Sequence, residues 1–264
     1  MSTDTARRHP SNDPAVPGSG ELGSVALLLD IDGTILDMAI TPSNVIVSDS
    51  LRSSLRDLHA RCGGALALVS GRLIGDIDTL FAPLRLPAIG GHGAEMRLSS
   101  NNAPKPGHAD AIGEGIRRRV AAIASADRRL IVEDKATSIA VHYRLAPELE
   151  QTLKSEIDET IADVAGESLE ILHGKAAIEI KSRHYSKGTA VLEMMNNPPF
   201  RGRRPIFVGD DVTDVSVFKI LPLFDGLGYA VERPMPGANG IFGSPAEVRD
   251  WLGSLCEAGG NARQ

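Results

Sequence analysis

Residues 25–34 read VALLLDIDGT, an apolar run followed at once by two carboxylates and a glycine. The run Val25–Leu29 is typical of a short strand that is buried on both faces of a parallel sheet. Asp30 and Asp32 follow at the carboxyl end of this strand, where open α/β sheets bind their ligands. An Asx-rich turn that merely ends a strand would carry the same residues, so the rest of the sequence must decide between a site and a turn.

Strands and helices alternate on both sides of this stretch. The apolar run 65–69 predicts a second buried strand. The helix before it is indicated by four side chains with helical spacing, Leu51, Leu55, Leu58 and Cys62. Further elements of the same alternation are predicted as helices near 73–81, 188–195, 212–221 and 244–255 and as strands near 87–89, 206–208 and 228–231. The alternation predicts an α/β protein with a Rossmann-like parallel sheet at its core.

The alternation is interrupted in the middle of the chain. A linker-like segment, SSNNAPKPG (99–107), is followed by a block with the order αββαββ. Its elements are predicted as helices near 112–123 and 148–164 and as strands near 130–133, 137–144, 169–172 and 176–181. We therefore predict a small α/β domain inserted into a discontinuous core. The predicted divisions are a disordered tail at 1–22, the core at 23–100 and 184–264, and the inserted domain at 101–183.

The composition narrows the class of protein. Hydrophobic residues make up 42% of the 264 residues and charged residues 23%, as in ordinary globular proteins. Neither a membrane-spanning run nor the apolar part of a secretory signal is seen, so we expect no membrane partner and a cytoplasmic protein. A net charge of -6 and an aromatic content of 4% argue against nucleic acid as a partner. Cys62 and Cys256 are too few for a disulfide framework or a Cys-based zinc site.

A second acidic cluster follows another apolar run. Residues 209–214 read GDDVTD and come directly after the predicted strand 206–208. Acidic residues here could simply complement a helix dipole, but together with Asp30 and Asp32 they would place up to five carboxylates at neighbouring strand ends. Such a pocket needs a divalent cation, and oxygen ligands favour Mg²⁺. The acidic residues of this cluster are Asp210, Asp211 and Asp214.

Two further residues could hold a phosphate next to these carboxylates. Ser70 ends the predicted strand 65–69 and offers a hydroxyl and the backbone amides that follow it. Lys187 begins a predicted helix directly after the insertion and would act as a point charge on a phosphate. Each is also compatible with an ordinary turn or helix cap. Taken together with the aspartates, they complete a site suited to phosphoryl transfer.

In this order and spacing, these residues resemble the phosphotransferases of the haloacid dehalogenase superfamily. The resemblance implies that Asp30 attacks phosphorus and forms an aspartyl phosphate. It implies that Asp32 protonates the leaving alkoxide and later activates water, with its backbone carbonyl on the metal. It further implies that Mg²⁺ is bound by Asp30, Asp32 and Asp210, and that Asp211 and Asp214 support the water molecules around the metal. The insertion then corresponds to a cap that sets substrate choice.

Longer stretches are similar to the trehalose-6-phosphate phosphatase family. They are GGHGAEMR (90–97), VEDKATSIAVHYR (132–144), GKAAIEIKSRHYSKG (174–188) and GDDVTD (209–214). The resemblance covers nearly the whole chain after residue 24, but Val215 stands where the family usually carries an acidic residue. It implies hydrolysis of trehalose 6-phosphate to trehalose and phosphate. Association with a trehalose-6-phosphate synthase is left open.

The predicted cap strands carry polar side chains that could hold a sugar. On strand 137–144, Ile139, Val141 and Tyr143 alternate with polar or small residues, so one face is apolar and the other polar. A polar face is equally typical of solvated surface. The resemblance implies a sugar-binding role for Glu133, Lys135, Arg144, Lys175 and Glu179. His92, which lies between glycines, could contribute or could simply support a hinge.

Three other functions remain open at this point. A related magnesium-dependent phosphatase could act on sucrose phosphate or mannosylglycerate phosphate. A hexose-phosphate mutase would share the core motifs but would release no free phosphate. A non-enzymatic acidic metal-binding domain would release no phosphate from any ester.

Overall fold

The computed structural model describes residues 19–38, 45–107, 111–164, 168–174 and 176–257. Most of the predicted tail, residues 1–18, lies outside this part of the chain. Ordered structure begins before residue 23, because Ser19–Ser24 forms a 3₁₀ helix and Leu22 is buried in the core. Within the described ranges, no helix is both long and apolar enough to cross a membrane.

Twelve strands and seven α-helices occur in the described residues. The strands are β1 Val25–Leu29, β2 Leu66–Val69, β3 Ala88–Gly90, β4 Glu95–Arg97, β5 Lys105–Pro106, β6 Ile131–Asp134, β7 Ser138–His142, β8 Leu169–Gly174, β9 Ala177–Ser182, β10 Arg204–Gly209, β11 Leu227–Val231 and β12 Gly240–Phe242. The helices are α1 Asp49–Arg61, α2 Ile74–Phe81, α3 Glu114–Ala124, α4 Glu150–Val164, α5 Lys187–Met195, α6 Val215–Phe218 and α7 Pro245–Glu257.

The larger sheet has eight strands in the order β12-β11-β10-β1-β2-β3-β4-β5. The first six run parallel, and all five residues of β1 are buried, as its continuous apolar sequence requires. Helices cover this sheet through apolar stripes; in α1 the stripe is Leu51, Leu55 and Leu58, and Ser48 caps the first turn. The predicted α/β alternation is therefore confirmed for the core.

The smaller sheet is antiparallel, in the order β6-β7-β9-β8. Its apolar face packs with α3 and α4 in a second hydrophobic core that is separate from the first. Ile139 and Val141 of β7 and Ile178 and Ile180 of β9 belong to this core, as the alternation of their strands predicts. The opposite face of the sheet is thereby left to the polar side chains.

Three features of the core differ from the sequence prediction. The sheet is mixed, because β4 and β5 add antiparallel strands at one edge. The predicted helix 212–221 is broken into a 3₁₀ turn Val212–Asp214, the short α6 and another 3₁₀ turn Leu221–Phe224. Pro222 cannot continue a helix, and in the first turn the side chains of Asp211 and Asp214 bond each other's backbone N–H groups. The short strand β12 was not predicted, and its three residues give too little periodicity to reveal it.

The chain leaves the larger sheet and returns to it beside the same turn of the core, Gly91–Gly93. On the outgoing side, Gly107 donates its backbone N–H to the carbonyl of Ala94, at 2.6 Å. On the returning side, a Cβ on Gly93 would lie 2.5 Å from the carbonyl oxygen of Ser186, a distance that only glycine permits. Helix α5 then starts at Lys187.

Candidate active site

The register of three central strands brings the predicted core residues together. Leu29 of β1 is paired with Val208 of β10 and with Leu68 of β2. The chain therefore leaves these strands at one edge of the sheet, with Asp30 at the centre, Asp210 on one side and Ser70 on the other. All three are buried and line one cavity, as the sequence predicts.

Asp30 is held from two directions. Its Oδ1 accepts a hydrogen bond from Lys187 Nζ at 2.7 Å, and its Oδ2 lies 3.0 Å from the hydroxyl of Thr34. The same hydroxyl lies 3.0 Å from Asp210 Oδ1 and so links the two acidic segments. Burial raises the pKa of the Asp30 carboxyl well above its ordinary value; Lys187 opposes this shift, and Asp214 and Asp210 add to it.

Lys187 carries the positive charge at the centre of the site. Its Nζ donates to Asp214 Oδ1 at 2.7 Å as well as to Asp30, and its side chain is 2% exposed. Burial lowers the pKa of the ammonium, but Asp214 and Asp30 together raise it by more, so Lys187 stays protonated. The helix that begins at Lys187 is fixed by a capping box between Ser186 and Thr189.

Asp214 organises the loop that carries Asp210 and Asp211. Its Oδ2 accepts the backbone N–H groups of both residues at 2.9 Å, while its Oδ1 accepts from Lys187. The carboxylate is fully buried, so these bonds replace the water that it loses. Asp214 therefore shapes the loop, and Asp211 lies beside the cavity at the loop's more exposed end.

The donor set fits a divalent cation. Asp30, Asp210 and Asp214 each offer a carboxylate oxygen within 4.8 Å of the others, and Lys187 contributes one positive charge among them. Three buried carboxylates and one ammonium leave two negative charges to be balanced, which matches the charge of Mg²⁺. Burial is the main cause of the raised pKa of Asp30, and the carboxylates of Asp214 and Asp210 add to it, so a bound cation would favour the ionised form.

Asp32 lines the same cavity and is paired with an arginine. Arg72 donates from Nε to Asp32 Oδ2 at 2.6 Å and from Nη2 to Oδ1 at 2.7 Å, in a bidentate pair. Arg72 was not predicted as a site residue, although it follows Ser70 by two positions. The backbone N–H of Arg72 also donates to Ser70 Oγ at 3.1 Å, so this short segment supports both predicted residues.

A cavity of about 490 Å³ extends from these residues to the polar face of the smaller sheet. Four of the five predicted sugar-binding residues line it, namely Glu133, Lys135, Arg144 and Glu179. The fifth, Lys175, lies outside the described residues. The polar side chains of these strands therefore lie on one side of the smaller sheet, as the sequence predicts. This polar face forms the far wall of the cavity that Asp30 also lines.

The polar side chains of this far wall are linked to one another. Lys135 Nζ lies 3.6 Å from Glu179 Oε1 and 3.7 Å from Glu133 Oε2, and it donates to the carbonyl of Gly71 in the core at 2.9 Å. His142 pairs with Glu133 at 2.9 Å. Burial raises the pKa of the Glu133 carboxyl, but the hydrogen bond from His142 and the charge of Lys135 lower it by more, so Glu133 stays ionised.

Two histidines of the cavity, His92 and His142, were not among the predicted site residues, although the sequence left a contribution of His92 open. His142 shares a strand face with Arg144, so the strand periodicity could have indicated it. His92 meets Glu179 only through the packing of the two sheets, 87 residues apart in sequence. Its place between two glycines was the sole signal.

Comparison with solved structures identifies the fold. The C-terminal domain of C. albicans trehalose-6-phosphate phosphatase is similar with a TM-score of 0.81 and 19% identity, over 90% of this chain and 93% of that one. A haloacid dehalogenase-like hydrolase from B. subtilis has a TM-score of 0.61 and 16% identity, over 86% and 99%. The fold is that of the haloacid dehalogenase-like phosphatases, as predicted.

Sequence comparison identifies the family. The family model for trehalose-phosphatase matches residues 28–234. A probable trehalose-phosphate phosphatase from Sinorhizobium fredii is 39% identical over 86% of this chain and 85% of its own length, and trehalose-6-phosphate phosphatase of Escherichia coli is 32% identical over 88% and 87%. The chain belongs to the trehalose-phosphatase family, and the predicted resemblance is confirmed.

Proposed function

We propose that this protein is a magnesium-dependent phosphatase that hydrolyses trehalose 6-phosphate to trehalose and inorganic phosphate. The observation that carries the proposal is the single cavity in which Asp30 and Lys187 lie opposite Glu133, Lys135 and Glu179. One wall offers a nucleophile and a cation for a phosphate, and the other offers donors and acceptors for sugar hydroxyls. The relatives named above act on trehalose 6-phosphate, which has both parts.

In the first step, Asp30 is the proposed nucleophile. One of its carboxylate oxygens forms a bond to phosphorus while the bond from phosphorus to the sugar oxygen breaks. Lys187 and Ser70 are proposed to hold the phosphate oxygens, since both are buried at the same end of the cavity. The departing sugar oxygen takes a proton from Asp32, which leaves an aspartyl phosphate on Asp30 and free trehalose.

In the second step, water hydrolyses the aspartyl phosphate. Asp32 accepts a proton from the attacking water, the bond between Asp30 and phosphorus breaks, and inorganic phosphate is released. The bidentate contact with Arg72 fixes the direction of the Asp32 carboxylate.

Asp30, Asp210 and the backbone carbonyl of Asp32 are the proposed holders of the magnesium ion, with Asp211 and Asp214 behind them. Bound Mg²⁺ supplies positive charge that lets an anionic carboxylate approach an anionic phosphate. Asp214 also serves by fixing the loop through the backbone amides of Asp210 and Asp211.

The block that holds the smaller sheet is proposed to be the specificity cap. The bounds 101–183 stay a prediction for this cap, and we propose that its start lies closer to Gly107, because β5 pairs with β4 of the larger sheet up to Pro106. Its sugar-binding residues are proposed to be Glu133, Lys135, Arg144, Lys175 and Glu179. Charged and hydrogen-bonding side chains on this wall of the cavity would favour one phosphate ester over another without any change in the reacting residues.

The testing experiment is phosphate release from a panel of sugar phosphates by the purified protein, with and without Mg²⁺. The panel contains trehalose 6-phosphate, sucrose phosphate, mannosylglycerate phosphate and glucose 6-phosphate. The proposal expects the highest kcat/KM for trehalose 6-phosphate, and only with the metal. Preference for another ester would favour a related phosphatase. Isomerisation of a hexose phosphate without phosphate release would favour a mutase.

The source of the substrate and the cellular location are part of the proposal. A relative from Thermoproteus tenax is a bifunctional trehalose-6-phosphate synthase/phosphatase; it is 31% identical over 74% of this chain and 27% of its own length. We propose that a synthase of this kind supplies the substrate in the cytoplasm. Physical association of the two enzymes stays a prediction, and co-purification with the synthase tests it.

A further inference from the structure

His92 occupies an unusual position between the two walls of the cavity. It lies in the turn Gly91–Gly93 with φ 56° and ψ 25°, a left-handed conformation that is uncommon for residues other than glycine. Its ring lies against Gly71, where a Cβ would be 2.3 Å from His92 Nε2. A left-handed residue and a neighbouring glycine are thus both needed to bring this ring to the cavity.

The ring bonds a residue of the opposite wall. His92 Nε2 lies 2.8 Å from Glu179 Oε2, and the two side chains are 12% and 11% exposed. The other oxygen of Glu179 accepts from the hydroxyl of Ser138 at 2.5 Å, and Lys135 Nζ is 3.6 Å away. Among the described residues, His92 Nδ1 is buried without a hydrogen-bond partner, so Glu179 accounts for the polar contacts of the ring.

This bond joins the core to the smaller sheet. Glu179 and Ser138 belong to β9 and β7, whereas His92 follows β3 of the larger sheet. Burial raises the pKa of the Glu179 carboxyl, but the charges and hydrogen bonds of His92, Lys135 and Ser138 lower it by more, so the carboxylate stays ionised. A buried carboxylate with a fixed direction is a precise acceptor for sugar hydroxyls, and His92 fixes it from the core side.

Lys135 makes a second contact between the smaller sheet and the core. Its ammonium reaches from the smaller sheet to the carbonyl of Gly71, the residue under the ring of His92. Two of the proposed sugar-binding residues therefore contact the core at neighbouring points, Lys135 at Gly71 and Glu179 at His92. Their direction in the cavity depends on contact between the two sheets.

We propose that His92 is a positioning residue for the sugar part of the substrate. It sets the orientation of Glu179 only when the smaller sheet rests on the core, so that sugar recognition becomes available together with the closed cavity. The inference rests on the proposed function. In this proposal His92 makes no contact with the reacting phosphate, so its substitution affects only the hydrolysis of substrates that carry the sugar.

The test compares three variants on two substrates, trehalose 6-phosphate and p-nitrophenyl phosphate, both with Mg²⁺. His92→Asn keeps a side chain that tolerates the left-handed conformation but is too short to reach Glu179. His92→Gln can place an amide N–H near the position of Nε2. The control is His173→Asn, which removes a histidine of the smaller sheet that is paired with Asp158 at 3.8 Å and does not line the cavity.

We expect His92→Asn to lower kcat/KM for trehalose 6-phosphate by roughly tenfold or more, the effect of losing one hydrogen bond to a charged group. His92→Gln should restore most of this loss, and His173→Asn should resemble the wild type. Hydrolysis of p-nitrophenyl phosphate should change less than about twofold in every variant, and thermal unfolding of each variant shows whether it is folded.

Several outcomes overturn the inference. They are unchanged trehalose 6-phosphate hydrolysis in His92→Asn, equal losses on both substrates, and no rescue by His92→Gln in a folded protein. A wild type that hydrolyses p-nitrophenyl phosphate but not trehalose 6-phosphate overturns the proposed function, and this inference with it. When the wild type hydrolyses trehalose 6-phosphate, the proposed function stands, and the variants then test the role of His92 alone.

Discussion

Lys187→Met is the sharpest test of the buried charges at the active site. The ammonium of Lys187 donates to Asp30 and to Asp214, each at 2.7 Å, from a side chain that is almost fully buried. Methionine keeps much of the apolar stem of lysine but carries no charge. The variant therefore retains the carboxylates of Asp30, Asp210 and Asp214 in the interior after their ammonium has been removed.

The expected magnitude is large. Removing one partner of a buried ion pair costs about 3–5 kcal/mol, because the remaining charge is desolvated without compensation. Each kcal/mol lowers Tm by about 2–4 °C in a protein of 150–250 residues, so a loss of roughly 6 °C or more is expected. The folded-state pKa of Lys187 is raised, and a raised pKa of an amine stabilises the fold at all pH values below the unfolded-state pKa. The loss is therefore present in full at neutral pH.

The assay is thermal unfolding followed by circular dichroism at pH 7, with a chelator so that bound cation does not mask the effect. The matched control is Lys154→Met, in which the same substitution removes an ammonium 2.6 Å from Glu150 at the surface, where the side chains are 29% and 46% exposed. Exposed pairs of this kind contribute about 0–1 kcal/mol. A Tm of Lys187→Met within about 2 °C of the wild type, no further from it than that of Lys154→Met, would refute the reasoning.

Three further predictions concern the proposed reaction. Asp30→Asn should abolish phosphate release yet leave the circular dichroism spectrum unchanged, because an amide of equal size is not an anionic nucleophile; activity within tenfold of the wild type would exclude the covalent mechanism. A chelator should stop turnover, and Mg²⁺ at 100 times its Kd should raise the free energy of unfolding by about 2.7 kcal/mol; full activity after exhaustive dialysis against chelator would contradict the metal assignment. Arg144→Ala should lower kcat/KM for trehalose 6-phosphate by roughly tenfold while p-nitrophenyl phosphate hydrolysis stays constant; equal losses on both would point to a structural role.

The core of the site could be predicted because each residue follows a buried strand. Parallel strands end at a common edge, so Asp30, Ser70 and Asp210 meet whatever the details of the loops. The far wall of the cavity could be predicted for a similar reason. Strand alternation places Val141 and Arg144 on opposite faces of the strand without any knowledge of the helices behind them. In both cases a local pattern fixes the direction of a side chain.

Contacts between distant segments could not be predicted in this way. The pair of Arg72 with Asp32 and the pair of His92 with Glu179 join residues 40 and 87 positions apart, and no periodicity relates them. The broken helix at 212–221 has a different cause. Pro222 cannot take part in a continuous helix, and Asp214 accepts the backbone N–H groups of Asp210 and Asp211 in a capping box while it also pairs with Lys187, which the local sequence does not contain.

The contact of Gly107 and Ser186 with one turn of the core has a consequence for how such enzymes diversify. Because the chain departs and returns at neighbouring points, the block between them can be lengthened, shortened or exchanged without altering the spacing of Asp30, Ser70 and Asp210. Two glycines restrict this freedom, since a Cβ on Gly93 would lie 2.5 Å from the carbonyl oxygen of Ser186 and a Cβ on Gly107 would lie 2.7 Å from that of Gly93. Engineering of new specificities can therefore treat the insertion as an exchangeable module, provided that these two glycines are kept.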